Sequence, residues 1–295
     1  MGAERTAVVL GAGTMGHGIA QVLAQGGLSV RLRDIDQAKV DHGLTKIEQN
    51  LAGGVKRGKL TQEEATAIGA RVRGVVDLDA AFEGADLAIE AIPEDLELKK
   101  RVLSEAAERC PDLKLLATNT SSLPVTEIAQ ATAIPGRVLG LHFFNPVHLS
   151  KLVEVVRGER TEQTALDLAL EVVTAIGKTP IVVRDAPGFA SSRLGLVLGL
   201  EAIRMVEQGV ASADDVDRAM ELGYRHPMGP LKTTDYVGLD VRLAIAEHLH
   251  AEVGEAFRPP QLLRRLVRAG KLGRKSGEGF YRWEDGKAVG PSDLA

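Results

Sequence analysis

The chain has 295 residues, 44% of them hydrophobic, a formal net charge of −4 and one cysteine, Cys110. This length is enough for two domains, and the mild acidity argues against a general nucleic-acid binder. The single cysteine excludes an intrachain disulfide. No apolar run reaches the ~18 residues of a membrane span, and the first predicted strand leaves no room before it for a targeting segment. We therefore expect a cytoplasmic protein, and no metal site is predicted.

Short apolar runs alternate with amphipathic stretches through the first 185 residues. Strands are predicted over residues 6–10, 28–33, 71–76, 86–91, 114–118, 137–143, 152–156 and 179–183. Helices are predicted over residues 15–24, 35–51 and 162–176, and further helical segments separate most of the other strands. This alternation predicts an α/β fold with a doubly wound, mostly parallel sheet that is covered by helices on both faces.

The character of the sequence changes at residues 185–188, Asp-Ala-Pro-Gly. Beyond this point helices are predicted over residues 189–208, after a capping signal at Ser212, over 231–253 and over 260–269. No convincing strand occurs before the extreme C-terminus. The sequence therefore predicts two domains, residues 1–185 with the sheet and residues 186–295 as an all-helical domain.

A glycine-rich segment, Gly-Ala-Gly-Thr-Met-Gly at residues 11–16, follows the first predicted strand and opens the first helix. This context is typical of a dinucleotide-binding Rossmann-type domain, where the glycines allow a tight turn and close approach of a pyrophosphate to the helix start. The predicted cofactor contacts in this segment are Gly11, Gly13, Thr14, Met15 and Gly16.

Asp34 lies at the end of the second predicted strand, about twenty residues beyond the glycine segment. A carboxylate there accepts hydrogen bonds from ribose hydroxyls and repels a 2′-phosphate. We therefore predict NAD rather than NADP as the cofactor, although Arg31 and Arg33 stand close by and weaken that preference.

Two polar segments follow later predicted strands, residues 119–122 and residues 141–146. Ligands bind at this edge of doubly wound sheets. His142 can take a proton near neutral pH, and oxidation of an alcohol needs a general base. Glu154 stands among apolar neighbours, and a buried carboxylate needs a partner such as His142. The spacing alone also fits a satisfied structural histidine.

Together these segments resemble the L-3-hydroxyacyl-CoA dehydrogenase family, including its bacterial 3-hydroxybutyryl-CoA members. The motifs that carry the resemblance occur nearly end to end, at residues 11–18, 90–94, 119–123, 142–147, 151–156, 187–189, 193–201, 227–230, 237–240 and 277–281. The resemblance implies an NAD-dependent oxidoreductase of fatty acid metabolism and β-oxidation, which acts on an acyl-CoA substrate, has no nucleic-acid or membrane partner, and forms a homodimer through the helical domain.

The resemblance also implies roles for the catalytic residues. His142 would remove the 3-hydroxyl proton while carbon 3 passes hydride to the nicotinamide, and Glu154 would pair with His142. Ser121 would hydrogen-bond the substrate oxygen that becomes the ketone. Asn145 would order the loop after the histidine.

Other positions would hold the cofactor and the substrate. Glu94, Lys99 and Asn119 are expected on the cofactor, near the nicotinamide end. Lys56 and Lys59, with Arg57 between them, are expected near the adenine end of coenzyme A, although an ordinary solvated face is an equal alternative. Ser192 stands where the family usually has an Asn that is expected near the substrate. The details of substrate binding at this position therefore remain open on the sequence alone.

Two other hypotheses remain open on the sequence alone. The chain also resembles relatives such as L-gulonate 3-dehydrogenase and carnitine dehydrogenase, which act on free hydroxy acids. A non-catalytic NAD-sensing protein could be built on the same fold. The sequence contains His142, Glu154 and Ser121 together, which argues against the non-catalytic NAD-sensing protein.

Overall fold

The computed structural model describes residues 5–294 and divides into two compact units, one ending at Ala186 and the other beginning at Pro187. This division lies one residue beyond the boundary predicted from the Asp-Ala-Pro-Gly segment.

The first unit is built on a sheet that has eight strands within the described residues, in the order β3-β2-β1-β4-β5-β6-β7-β8. The strands are β1 Thr6–Leu10, β2 Ser29–Arg33, β3 Val72–Val75, β4 Leu87–Glu90, β5 Leu115–Thr118, β6 Val138–Phe143, β7 Leu152–Arg157 and β8 Thr179–Arg184. Neighbouring strands are parallel except β6 and β7, which are antiparallel. The order of the first six strands is that of a Rossmann fold.

Helices cover both faces of this sheet. They are α1 Gly16–Gln25, α2 Gln37–Lys56, α3 Gln62–Ala70, α4 Leu78–Phe82, α5 Leu96–Arg109, α6 Val125–Gln130 and α7 Gln163–Ala175. Alternate residues of β1 enter different cores: Ala7 and Val9 pack in one, Val8 and Leu10 in the other. The central strands β1, β4, β5 and β6 are buried on both faces and are therefore mostly continuous apolar runs. All eight strands lie where the sequence predicts them.

The second unit is mainly helical, as predicted. Its helices are α8 Ser191–Glu207, α9 Ala213–Arg218, α10 Pro230–Val237, α11 Leu239–Glu252 and α12 Gln261–Arg268. Ser212 caps α9 by accepting a hydrogen bond from the backbone N–H of Asp215 at 3.2 Å. The single helix predicted over residues 231–253 is wrong, because the chain breaks at Gly238. The backbone φ of Gly238 is +109°, which a helix does not allow.

A short antiparallel hairpin, β9 Tyr281–Glu284 and β10 Lys287–Pro291, also belongs to the second unit and is missing from the all-helical prediction. Buried Asp235 of α10 holds it. Its carboxylate accepts from the backbone N–H groups of Phe280 and Tyr281 and from the indole N–H of Trp283, each at 2.9 Å. This hairpin depends on a contact more than forty residues away in sequence, which no local pattern reveals.

Within residues 5–294, the helices are all too short or too polar to cross a membrane.

Candidate active site

The glycine segment makes a tight turn between β1 and α1. Gly11 has a φ of +101°, and a Cβ on Gly16 would lie 1.7 Å from the carbonyl oxygen of Gly11, so the helix can approach the strand only without side chains at these positions. Around Gly13, by contrast, no described heavy atom would lie within 4 Å of an added Cβ. No described side chain caps α1. Open space beside uncapped helix amides fits the pyrophosphate of a dinucleotide.

Asp34 fixes this turn from the end of β2. Its Oδ2 accepts from the backbone N–H of Ala12 at 2.8 Å, and its Oδ1 accepts from the N–H of Ile35 at 2.7 Å. A carboxylate has about four acceptor positions, so each oxygen keeps capacity for a ribose hydroxyl. The residue predicted to contact the ribose therefore also shapes the glycine turn.

His142 and Glu154 form a buried pair at the other side of the site. They lie opposite each other on the antiparallel strands β6 and β7, and His142 Nδ1 is 2.7 Å from Glu154 Oε2. The residues are only 5% and 0% exposed. Because a carboxylate accepts, Nδ1 carries the proton and Nε2 carries the lone pair of the neutral ring. The ring of Phe144 packs against the imidazole with centroids 4.5 Å apart.

A buried ionic network lies at the carboxyl end of β4. Lys99 Nζ is 2.6 Å from Glu90 Oε1 and 3.4 Å from Glu94 Oε2. The other oxygen of Glu90 accepts from the hydroxyl of Thr118 at 2.6 Å, and Oε1 also accepts from the backbone N–H of Ile92 at 2.7 Å. Lys99 is fully buried. Its ammonium group therefore holds two carboxylates.

Glu94 connects this network to the strand end that carries Ser121. Its Oε1 accepts from the hydroxyl of Thr120 at 2.6 Å and from the backbone N–H of Ser121 at 2.8 Å. Asn119 in turn accepts from the backbone N–H of Phe143 at 2.9 Å, next to His142. Hydrogen bonds thus join the ends of β4, β5 and β6.

The structure brings most of the predicted site residues to one edge of the sheet, as the strand order requires. Asn145 belongs to this edge too, whereas Lys56, Lys59 and Ser192 lie elsewhere. Asn145 is exposed in the loop after β6 and precedes Pro146 through a cis peptide bond. Lys56 and Lys59 are exposed at and just beyond the end of α2. Ser192 belongs to the second unit, at the start of α8.

Sequence reasoning gave no role to several residues of the site, namely Glu90, Thr118, Thr120 and Phe144. Glu90 could have been found, because it is the charged end of an otherwise apolar strand, Leu-Ala-Ile-Glu. The threonines have no such signal, since their role depends on which carboxylate lies beside them.

A glycine turn for a dinucleotide and a buried histidine–carboxylate pair on the same sheet are typical of oxidoreductases that exchange a hydride with NAD, and this chain belongs to that class. Residues 6–186 match the family described as "3-hydroxyacyl-CoA dehydrogenase, NAD binding domain". Residues 188–283 match "3-hydroxyacyl-CoA dehydrogenase, C-terminal domain". The chain therefore belongs to the 3-hydroxyacyl-CoA dehydrogenase family, and its cofactor is NAD.

Similar proteins cover nearly the whole chain. A "Probable 3-hydroxybutyryl-CoA dehydrogenase" of Bacillus subtilis is 45% identical over 280 residues, which are 94% of this chain and 97% of the relative. A "3-hydroxybutyryl-CoA dehydrogenase" of Clostridioides difficile is 42% identical over 274 residues, 92% of this chain and 97% of the relative.

Solved structures agree closely with the fold. FadB2 of Mycobacterium tuberculosis superposes with a TM-score of 0.91 at 41% identity, covering 96% of this chain and 100% of that one. The (S)-3-hydroxybutyryl-CoA dehydrogenase PaaH1 from Ralstonia eutropha superposes with a TM-score of 0.92 at 38% identity, with the same coverage.

Proposed function

We propose that this enzyme interconverts (S)-3-hydroxyacyl-CoA and 3-oxoacyl-CoA thioesters, with a short acyl chain such as the hydroxybutyryl group as substrate. The observation that carries the proposal is the buried His142–Glu154 pair, at 2.7 Å, on the sheet that also holds the glycine turn. The names of the relatives from Bacillus subtilis, Clostridioides difficile and Ralstonia eutropha support the substrate class.

In the oxidative direction His142 acts as the general base. Glu154 holds the proton on Nδ1, so the lone pair on Nε2 points away from the carboxylate and accepts the 3-hydroxyl proton. Bound NAD would supply the acceptor for the hydride that leaves carbon 3. The imidazolium that forms is stabilised by Glu154, which is fully buried and hydrogen-bonded to the ring. Burial strengthens this attraction, because water does not screen the pair.

Ser121 orients the reacting oxygen by hydrogen bonding, and Glu94 sets its position by binding the Ser121 backbone N–H. Asn119 keeps the end of β6, and so His142, in register with β5. Glu94 and Asp34 would hold the riboses of bound NAD. Lys99 holds Glu94 in place through an ion pair.

The proposed site has four further residues: Asn145, Ser192, Lys56 and Lys59. Asn145 orders the loop after His142. Ser192 contacts the acyl part of the substrate, where its short hydroxyl side chain can still donate and accept. Lys56 and Lys59 are exposed cations, and they attract the phosphates at the adenine end of coenzyme A.

The assay that tests this function follows NADH oxidation by the purified protein with acetoacetyl-CoA, and in parallel with free acetoacetate. We expect consumption with the thioester alone. Activity with the free acid alone would move the enzyme to the hydroxy-acid dehydrogenases. No activity with either substrate, while NADH still binds, would support an NAD-sensing role instead.

The homodimer and the cytoplasmic location are part of this proposal. Light scattering of the purified protein measures the first, and fractionation of cells that produce it measures the second. A monomer, or recovery outside the cytoplasmic fraction, would contradict the corresponding prediction.

A further inference from the structure

Lys178 is a buried lysine that has no role in the proposed mechanism. It lies in the turn between α7 and β8 and is 8% exposed. Its Nζ donates to the carbonyl oxygen of Val147 at 2.6 Å and to that of Ser150 at 2.5 Å. Both carbonyls belong to the β6–β7 loop, residues 144–151, which joins the two strands that carry His142 and Glu154.

The ammonium group of Lys178 is not balanced by an acid. Among the residues that the structure describes, no carboxylate stabilises the charged form, and burial lowers the pKa of Lys178. Burying an unpaired charge is costly, and an apolar side chain of the same length would avoid that cost. Such a side chain would, however, leave the two carbonyl oxygens without this donor. The bonds to the β6–β7 loop are therefore what the lysine contributes at this position.

The backbone on either side of Lys178 is held in place. The N–H of Thr179 donates to the carbonyl oxygen of Lys151 at 2.7 Å, where the pairing of β8 with β7 begins. A Cβ on Gly26 would lie 2.7 Å from Cγ2 of Ile176, so the end of α7 packs against the end of α1. The lysine side chain therefore extends to the β6–β7 loop from a fixed base.

The β6–β7 loop contacts both the catalytic pair and the helix that follows the glycine turn. The ring of Phe144, the first residue of the loop, packs against the His142 imidazole with centroids 4.5 Å apart. The Val147 side chain is buried, and a Cβ on Gly18 of α1 would lie 2.8 Å from its Cβ. The loop that Lys178 holds therefore connects the proposed base to α1.

We propose that Lys178 is a positioning residue for hydride transfer, which acts by fixing the β6–β7 loop between His142 and α1. This inference rests on the proposed function, because that function assigns the proton transfer to His142. Without the two bonds from the ammonium group, the loop is free to shift on α1, and Phe144 shifts with it against the imidazole. A displacement of about 1 Å in a site of this kind lowers a rate by as much as about 10²-fold.

Lys178→Met tests this role, because methionine keeps an unbranched apolar chain of similar length but has no donor. Single-turnover mixing of the NADH-bound protein with saturating acetoacetyl-CoA measures hydride transfer itself, apart from product release. We expect its rate to fall roughly tenfold to a hundredfold. Lys151→Met is the matched control, since it makes the same chemical change at an exposed lysine of the same loop, and its rate should equal that of the wild type.

A second measurement needs no turnover. The ring signals of His142 in the nuclear magnetic resonance spectrum of the ligand-free, isotope-labelled protein are assigned by their absence in His142→Gln. They should shift in Lys178→Met, because the Phe144 ring beside the imidazole moves with the loop, and they should not shift in Lys151→Met. A side chain that only stabilises the fold would lower the unfolding temperature without moving these signals.

Lys178→Gln keeps two N–H donors on a side chain that is one atom shorter, so its rate and its His142 signals should lie between those of the wild type and Lys178→Met. If Lys178→Met does not fold, the same two measurements on Lys178→Gln decide the matter. A folded variant with the hydride-transfer rate and the His142 signals of the wild type would overturn the proposal, and so would equal changes in Lys151→Met.

Failure of this proposal and failure of the proposed function are distinguishable. A wild-type protein that does not oxidise NADH with acetoacetyl-CoA contradicts the proposed function. An active wild type, together with an equally active Lys178→Met, contradicts only the role of Lys178.

Discussion

Glu90 and Lys99 form an ion pair of 2.6 Å in which both side chains are fully buried. Two buried charges are costly to remove from water, and this pair is satisfied by Thr118 and Ile92 as well as by Glu94. The main effect of this pair is therefore to position other groups rather than to add stability. It fixes the ammonium group of Lys99, which holds Glu94, and Glu94 in turn binds the backbone N–H of Ser121.

Glu90→Gln should therefore damage both the fold and the site. Removing one partner of a buried pair typically costs about 3–5 kcal/mol of unfolding free energy, because the other charge stays buried. We also expect a higher KM for NADH, since Lys99 no longer holds Glu94 firmly. Urea unfolding and steady-state kinetics measure the two effects.

Lys100→Gln is the matched control for Glu90→Gln, because Lys100 pairs with Glu97 and Glu127, whose side chains are half exposed or more, and solvent-screened pairs contribute little to stability. The double replacement Glu90→Leu with Lys99→Met should recover stability but not NADH affinity. A Glu90→Gln protein as stable as the wild type would contradict the argument.

His142→Gln should lower turnover by roughly 10²–10⁴-fold, the usual contribution of a positioned proton-transfer group. NADH binding should persist, because the glycine turn is untouched; fluorescence titration measures it beside kcat. Glu154→Gln should reduce kcat less, since the ring keeps its lone pair but loses the charge that stabilises imidazolium. His226→Gln serves as the control. Unchanged turnover in His142→Gln would rule out the base.

The two glycines of the turn should respond differently to alanine. Gly16→Ala places a Cβ 1.7 Å from the Gly11 carbonyl oxygen and should destabilise the fold by about 1–3 kcal/mol or more. Gly13→Ala meets no described atom, so stability should stay within about 0.5 kcal/mol, while the new methyl group obstructs the pyrophosphate. Thermal unfolding and NADH titration separate these outcomes. Equal NADH affinity in Gly13→Ala and wild type would show that no phosphate approaches there.

Asp34→Ala should reduce affinity for NAD and improve the relative preference for NADP, because the carboxylate that repels a 2′-phosphate is gone. Part of the loss comes from the loop, since Ala12 loses its acceptor. Asp34→Asn removes the charge and keeps an acceptor for Ala12, but its amide nitrogen cannot accept from the backbone N–H of Ile35, so one hydrogen bond of the loop is lost with the charge. Comparing KM values for both cofactors measures the preference, and a ratio equal to that of the wild type would refute the role of Asp34.

Asp235 should make part of the stability depend on pH. Burial raises its pKa from 3.8 to about 6, against the lowering effect of its hydrogen bonds to Trp283, Phe280 and Tyr281. Because the folded pKa lies above the unfolded value, the native state binds the proton more strongly in that window, and this contribution is lost as the pH rises from about 4 to about 6. The full difference corresponds to about 3 kcal/mol.

Asp235→Asn removes this titration. The unfolding free energy of the wild type, relative to the variant, should therefore fall by up to about 3 kcal/mol between about pH 4 and about pH 7. Urea unfolding at both pH values measures it, with exposed Asp112→Asn as the control. If wild type and variant differ in unfolding free energy by the same amount at both pH values, Asp235 is not the group whose titration changes the stability.

Much of the secondary structure of the first unit can be predicted from the local pattern of apolar residues and glycines in the sequence. Strands that are buried on both faces are continuous apolar runs, and such runs can be recognised in the sequence. The glycine turn can be recognised too, because a helix packs closely against its strand only where the residues between them, here Gly11 and Gly16, have no side chain. His142 and Glu154 could be proposed as partners because a charged group among apolar residues needs one. The spacing alone nevertheless also fits a satisfied structural histidine.

Only the tertiary structure decided that β6 and β7 run antiparallel and place His142 opposite Glu154. It also decided that Lys99 is buried between Glu90 and Glu94, that Asp235 holds the C-terminal hairpin, and that the chain breaks at Gly238. The reason is physical. Apolar periodicity records which face of an element is buried, whereas the partner of a buried charge depends on which distant segment lies beside it.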